Sequence, residues 1–150
     1  MKNFFESSDR GPLLDRLDKL QRSALRQWGK MDVAQMCAHC AAAAEVAAGD
    51  VRKRQAFIGK VLAPFVKKAV LRSDQPLSKN SPTDPTFVVS DPRDFEKEKA
   101  RLIEVTSRFC AGGPGAADGR IHSFFGRMTG DEWGVLMYKH LDHHLRQFGA

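Results

Sequence analysis

The C-terminal segment from Trp133 onward has the apolar periodicity of an α-helix, and this pattern constrains the fold of the chain most. Four large apolar side chains share one face of the projected helix: Trp133, Met137, Leu141 and Phe148. Three charged side chains fall on the far side: Lys139, Asp142 and Arg146. Because such a stripe has to be buried against other helices, the segment predicts an all-α domain.

Two histidines, His140 and His144, lie inside this apolar stripe. Positions four apart on an α-helix share a face and are separated by about 6 Å of rise, so two imidazoles can reach one metal ion. Thr129 and Glu132 have the spacing of a capping box, which predicts where the helix begins. The segment therefore predicts two inward-facing metal ligands.

Two helices are predicted in the N-terminal part of the chain. Leucines recur at helical spacing from Gly11-Pro12 to about Gln27, where Gly29 interrupts the pattern. The second helix begins at Asp32, an N-cap with Gln35 as its capping-box partner, and its alanine-rich sequence continues to Ala48 before Gly49.

A third helix is predicted from about Gln55 to Leu71, with a kink at Pro64. Its lysines are expected in solvent: Lys60, Lys67 and Lys68. Its larger apolar side chains are expected in the core: Phe57, Ile58, Val61, Leu62 and Phe65.

The segment from Ser73 to Ser90 has no helical periodicity and is predicted to be a long extended crossover that also walls off a site. Its prolines are Pro76, Pro82 and Pro85. A fourth helix is predicted from Asp91-Pro92 to a break at Gly112–Gly115. Residues 111–128 are predicted to form a glycine-rich loop. No stretch predicts a strand, so the expected architecture is a four-helix bundle with a crossover and an extra helix, one domain over residues 1–150.

Length and composition narrow the class of protein. A chain of 150 residues buries a core that needs neither disulfide nor metal to fold. No apolar run reaches the roughly 18 residues of a membrane span, and Glu6 and Asp9 interrupt any signal-peptide core. An odd count of three cysteines favours a reducing compartment, and Cys37 and Cys40, placed mid-helix, are expected to be small buried side chains. These features predict a cytoplasmic protein with no membrane association.

The net charge of +6 raises the question of nucleic-acid binding. Basic residues form a phosphate track only when they concentrate on one face, and here they are scattered along the chain. The densest runs, Arg52-Lys53-Arg54 and Lys67-Lys68, are explained by solvated helix faces. Nucleic acid is therefore not the expected partner.

A third metal ligand is expected from another helix, because a catalytic metal commonly takes three protein ligands and keeps one position open. His39 lies at the edge of the apolar stripe of the second helix and is the candidate. A shared metal would satisfy three buried imidazoles that otherwise each cost about 1 to 3 kcal/mol. His143, His122 and Gln147 are further candidates, either for hydrogen bonds to the metal ligands or for contacts with substrate.

Three stretches of the sequence, Trp133–Phe148, His122–Thr129 and Met36–His39, resemble a branch of the DinB/YfiT-like superfamily of metalloenzymes that has no assigned function. The resemblance spans nearly the whole chain. It implies a four-helix bundle of up-down-down-up order, a homodimer, and a divalent ion, zinc or nickel, held by one histidine of the second helix and an H-x3-H pair of the last. Carried over, these ligands are His39, His140 and His144.

Better characterised relatives in that superfamily include thiol-dependent transferases and a maleylpyruvate isomerase, so the resemblance implies a low-molecular-weight thiol as a candidate cofactor. No nucleophile triad or suitably spaced carboxylate is evident, so the catalytic residues are unidentified and a metal would carry the chemistry. The predicted function is a metal-dependent transferase or isomerase, or a hydrolase with metal-activated water, acting on an unidentified small molecule. The alternative is a non-catalytic, stress-associated module that binds a metal or small ligand.

Overall fold

The computed structural model describes residues 1–81 and 83–150, so Pro82 of the predicted crossover lies outside the described residues. The protein is mainly helical. Its helices are α1 (Ser7–Lys19), α2 (Val33–Ala48), α3 (Phe57–Leu71), α4 (Phe95–Ala117) and α5 (Gly130–Gln147). A 3-10 turn spans Pro85–Phe87, and a two-stranded antiparallel hairpin consists of β1 (Ile121–His122) and β2 (Gly126–Arg127).

Helices α1, α2, α4 and α5 pack as a bundle, and α3 is the extra helix. α2 and α4 run parallel. Two ion pairs show this, since they follow the same order along both segments: Glu45 with Arg101 at 2.8 Å and Asp50 with Arg108 at 2.7 Å. Two parallel neighbours need a long connection between them. Residues 72–94, together with α3, supply it.

α1 and α5 also run parallel. The amide of Phe4 donates to the carbonyl of Gly134 at 3.0 Å, and one turn from the end of α1 the Arg16 guanidinium contacts Asp142 at 2.6 Å. The hairpin connects α4 to α5, and these two helices pack antiparallel. The predicted bundle is therefore confirmed, with the order up-down-down-up for α1, α2, α4 and α5.

α5 is the central helix. Its capping box of Thr129 and Glu132 is confirmed, as is the box of Asp32 and Gln35 that starts α2. The expected polar face of α5 is partly wrong, since Lys139 and Asp142 are buried. Other segments pack against most of the surface of α5, so Lys139 and Asp142 find partners inside the protein, whereas Arg146 of the same face stays exposed.

Several predicted boundaries are wrong. α1 spans Ser7–Lys19, so it begins upstream of Gly11-Pro12 and ends before Gln27. At its start, the Arg10 side chain donates to the carbonyls of Phe4 and Phe5. At its end, Leu20 adopts an extended conformation. α4 begins at Phe95, where Asp94 rather than Asp91 is the N-cap.

α4 also continues past the predicted glycine break as a kinked helix. The kink lies at Gly113, whose φ of 68° is in the left-handed region that glycine tolerates. The hairpin that follows was not predicted, because each strand is two residues long and shows no alternation of polarity.

The expected burial of the α3 apolar face is wrong. Phe57 and Phe65 are 81% and 79% exposed, and Ile58, Val61 and Leu62 are exposed with them. The face that contacts the protein carries Gly59 and Ala63 instead. Small side chains let the helix approach closely, and this approach leaves the large ones outside.

Among the described residues, no helix has both the length and the apolar character needed to cross a bilayer. The three cysteines are free thiols; Cys37 and Cys40 are buried, whereas Cys110 is half-buried. Burial raises the pKa of the Cys37 thiol to about 12, so this thiol stays protonated and packs as an apolar group.

Candidate metal centre

The structure brings together the three histidines His39, His140 and His144. The first lies two turns into α2, and the other two lie one turn apart on α5. One ligand atom from each ring falls within 4.8 Å of the others, and the Nε2 atoms of His39 and His140 are 3.0 Å apart. Imidazole nitrogens bind zinc at about 2.0–2.1 Å, so this spacing suits ligands of a common ion.

The ring of His39 is oriented by the main chain of the crossover. Its Nδ1 lies 2.8 Å from the carbonyl oxygen of Phe87, in the 3-10 turn. A carbonyl oxygen only accepts, so Nδ1 carries the proton and donates. In the neutral ring, Nε2 therefore presents its lone pair toward the other two histidines.

The ring of His144 is oriented by Gln147. The Nε2 amide of Gln147 donates to the carbonyl of Trp28 at 2.8 Å, which leaves its Oε1 as the acceptor facing His144 Nδ1 at 2.8 Å. His144 Nδ1 is thus the protonated nitrogen, and its Nε2 keeps a lone pair. Gln147 is buried and fixed at both ends of its amide.

His140 differs from its neighbours because its Nδ1 is buried and has no hydrogen-bond partner within the described residues. Its Nε2 faces the Nε2 of His39, which already presents a lone pair. Two lone pairs at this distance would repel each other, so without a cation one ring nitrogen has to carry a proton there. Three imidazoles lie close together, and hydrogen bonds at Nδ1 leave the Nε2 lone pairs of His39 and His144 available, so this set of donors fits a divalent ion.

Burial keeps all three rings neutral, which is the form that binds metal. Removal from solvent lowers the pKa of His39, lowers that of His140 strongly, and lowers that of His144 to about 3. At neutral pH an ion therefore binds these neutral rings without net release of protons.

His143 lies next to the cluster without joining it. Its Nδ1 donates to the carbonyl of Leu77 at 3.2 Å, and its ring packs edge-on against His144 with centroids 5.0 Å apart. Trp28 contacts the same imidazole, and its indole Nε1 is buried without a hydrogen-bond partner in the described structure. His143 and Trp28 thus form one flank of the cluster.

His122 lies outside the cluster, in the hairpin. Its Nδ1 accepts hydrogen bonds from the amides of Phe124 and Phe125 at 3.0 and 3.1 Å, and its ring packs against Trp133. Burial lowers its pKa to about 4. This imidazole organises the turn between β1 and β2.

Phe87 and Trp28 are the contributors that sequence reasoning missed. Both act through a main-chain carbonyl, which every residue carries, so no residue-type signal marks them. The one related prediction is that the crossover from Ser73 to Ser90 covers a site. The contacts of Phe87 with His39 and of Leu77 with His143 place that segment beside the histidines.

Within the described residues, His39, His140 and His144 are the only group of three or more histidine, cysteine, aspartate or glutamate side chains spaced to hold a metal ion. The chain matches the model of the family described as "Protein of unknown function (DUF1569)" over residues 5–150. The chain belongs to this family. No curated protein and no solved structure matches it. The family description carries no activity, so function has to be inferred from the site.

Proposed function

We propose that this DUF1569 protein is a metal-dependent enzyme whose ligands are His39, His140 and His144, with zinc or nickel as the ion. The observation that carries the proposal is the fixed orientation of His39 and His144. Their Nδ1 atoms donate to Phe87 and Gln147 outside the cluster, which leaves the Nε2 lone pairs free to bind an ion within it. The resemblance to the DinB/YfiT-like superfamily supports the same three ligands.

His39, His140 and His144 would hold a divalent ion, which would act as a Lewis acid and lower the pKa of a bound water or thiol. The chain's own part is to hold three neutral rings close together and to fix the tautomers of His39 and His144 through Phe87 and Gln147. We propose a small-thiol-dependent transferase or isomerase, or a hydrolase, with an unidentified small substrate.

Metal content tests the ligand assignment. We expect untagged wild-type protein to carry stoichiometric divalent metal by elemental analysis, and His140→Ala and His144→Ala to lose it while helicity by far-UV circular dichroism is kept. His143→Ala is the matched control, because that ring touches His144 without entering the cluster. Metal content unchanged in both ligand variants would contradict the assignment.

Turnover tests the enzymatic part. Metal-loaded wild type is assayed with glutathione-like thiols and electrophilic acceptors, and with an ester panel; activity is expected to disappear in His144→Ala. Stoichiometric metal without turnover in either panel would favour the non-catalytic metal-binding alternative.

A further inference from the structure

α3 presents an apolar face that the protein leaves in solvent. The exposed side chains are Phe57, Ile58, Val61, Leu62 and Phe65, all on one side of the 15-residue helix. Contiguous exposed apolar surface of this kind marks a binding surface in a folded protein.

The orientation of α3 is fixed by its other side. A Cβ at Gly59 would lie 2.3 Å from the carbonyl oxygen of Phe124, so the helix backbone rests directly on the hairpin. Lys67 reaches Glu132 at 2.7 Å and the carbonyl of Arg127 at 2.9 Å. Rolling the aromatic face inward would break these contacts and insert large side chains where only small ones fit.

The charged residues of the segment that carries this face are all basic. Residues 51–72 contain no aspartate or glutamate and seven basic residues: Arg52, Lys53, Arg54, Lys60, Lys67, Lys68 and Arg72. Lys53 and Lys67 pair with acidic side chains elsewhere in the protein. The other five make no ion pair with any described residue, so their charge is available to a partner.

The charge decides between the occupants of an apolar helix face. A second copy packed through α3 would bring two uniformly positive segments together, which like-charge repulsion disfavours. An anionic phospholipid surface offers both an apolar layer for the phenylalanines and negative headgroups for the basic residues. We infer that α3, with its basic flanks, docks on an anionic membrane surface.

The helix dimensions suit this mode. Fifteen residues extend about 22 Å, short of the roughly 30 Å hydrocarbon core, so α3 lies in the plane of the interface and does not cross it. The expectation of no membrane association rests on the lack of an apolar run long enough to span a bilayer, and a helix that lies in the interface needs no such run. The α3 side chains that the interface would take up were expected in the core. Their exposure makes them available to the interface.

Vesicle co-sedimentation tests the inference. We expect wild-type protein to bind vesicles of phosphatidylcholine mixed with phosphatidylserine, to bind phosphatidylcholine alone at least tenfold more weakly, and to dissociate as salt rises. The Phe57→Ser/Phe65→Ser variant should lose at least tenfold in binding. Arg54→Glu/Lys60→Glu should lose roughly fivefold or more in binding for each basic residue replaced.

Two exposed residues of the segment between α1 and α2 provide matched controls. Leu25, which is 82% exposed, becomes Leu25→Ser, and Arg26 becomes Arg26→Glu; both should bind like wild type. Equal binding to both vesicle compositions, or none to the anionic one, would overturn the proposal. A wild-type dimer that Phe57→Ser/Phe65→Ser converts to monomer in size-exclusion chromatography would assign the face to a second copy instead. Metal content plays no part in this readout, so it is independent of the proposed activity.

Discussion

Gln147 sets the protonation pattern of His144 without belonging to the cluster. Because its amide nitrogen is committed to the Trp28 carbonyl, its oxygen has to accept from His144 Nδ1. A single buried amide thereby determines which imidazole nitrogen faces the other two rings.

Replacing this amide should weaken metal binding and leave the three ligands in place. For Gln147→Leu we expect the affinity for zinc to fall roughly 10- to 100-fold, as is typical when an outer-shell partner of a histidine ligand is lost. Competition against a chromophoric chelator measures the change. Gln21→Leu, on an exposed glutamine, is the control, and equal affinities in the two variants would contradict the role given to Gln147.

His122 makes the stability of the hairpin depend on pH. Its Nδ1 accepts from two amides, so protonation would place an N–H opposite two others. Its pKa in the folded protein is lowered to about 4 by burial, below the ordinary value of 6.5. The stabilisation is therefore complete above pH 6.5 and is lost as pH falls from 6.5 to 4.

Urea unfolding across this pH window measures the effect. We expect the difference in unfolding free energy between wild type and His122→Gln to shrink by roughly 1.4 kcal/mol per pH unit as pH falls, because the unfolded chain takes up the extra proton. Taking the difference cancels the contribution of the other histidines. A difference that does not vary with pH would show that His122 does not titrate with unfolding.

At the scale of elements, Lys139 joins α5 to the end of α3 and the start of the crossover. Its ammonium donates to the carbonyls of Val70, Ser73 and Gln75. The sequence placed this lysine on a solvent face, since helical periodicity describes one helix and not what packs around it. Burial lowers its pKa, but three carbonyl acceptors hold the charged form in place.

Removing this ammonium should loosen that junction. Lys139→Met leaves three carbonyls without their donor, and we expect a loss of about 1–3 kcal/mol in unfolding free energy together with faster proteolysis around residues 70–77. Lys19→Met, on an exposed lysine of α1, should change neither. Unaltered cleavage in Lys139→Met would mean that the junction is held by other contacts.

At the scale of the molecule, the proposed metal would join α2 and α5 across a bundle that already has its own core. Trp133, Leu141 and Leu17 are almost fully buried and belong to one continuous cluster of apolar side chains. Metal should therefore add stability to a folded protein and not create the fold, unlike in small metal-dependent domains.

Chelation measures this. With free zinc on the order of 100 times its Kd, binding adds about 2.7 kcal/mol, which corresponds to roughly 5–10 °C in Tm for a domain of this size. We expect a chelator to lower Tm by that amount with unchanged far-UV circular dichroism at room temperature. His144→Ala should show no shift, and an equal shift in that variant would place the ion elsewhere.

The sequence was informative where local chemistry decides the structure. Asp32 with Gln35 and Thr129 with Glu132 fix helix starts through contacts three residues apart, so both could be predicted. The fate of the α3 apolar face could not, because it depends on the hairpin under Gly59, which is distant in sequence. The histidine spacing placed two rings on one face, while the acceptors that orient them required the tertiary structure.

Main-chain oxygens align both His39 and His144. The Phe87 carbonyl accepts directly from His39, and the Trp28 carbonyl accepts from the Gln147 amide whose own oxygen accepts from His144. Any amino acid supplies such an oxygen, so exchanging the side chain at 28 or 87 does not delete the acceptor. An insertion or deletion in either connecting segment would move it. The alignment of the imidazoles thus depends on the length of each connecting segment, while the side chains at these two positions contribute ring contacts to His143 and His39 and not the acceptors.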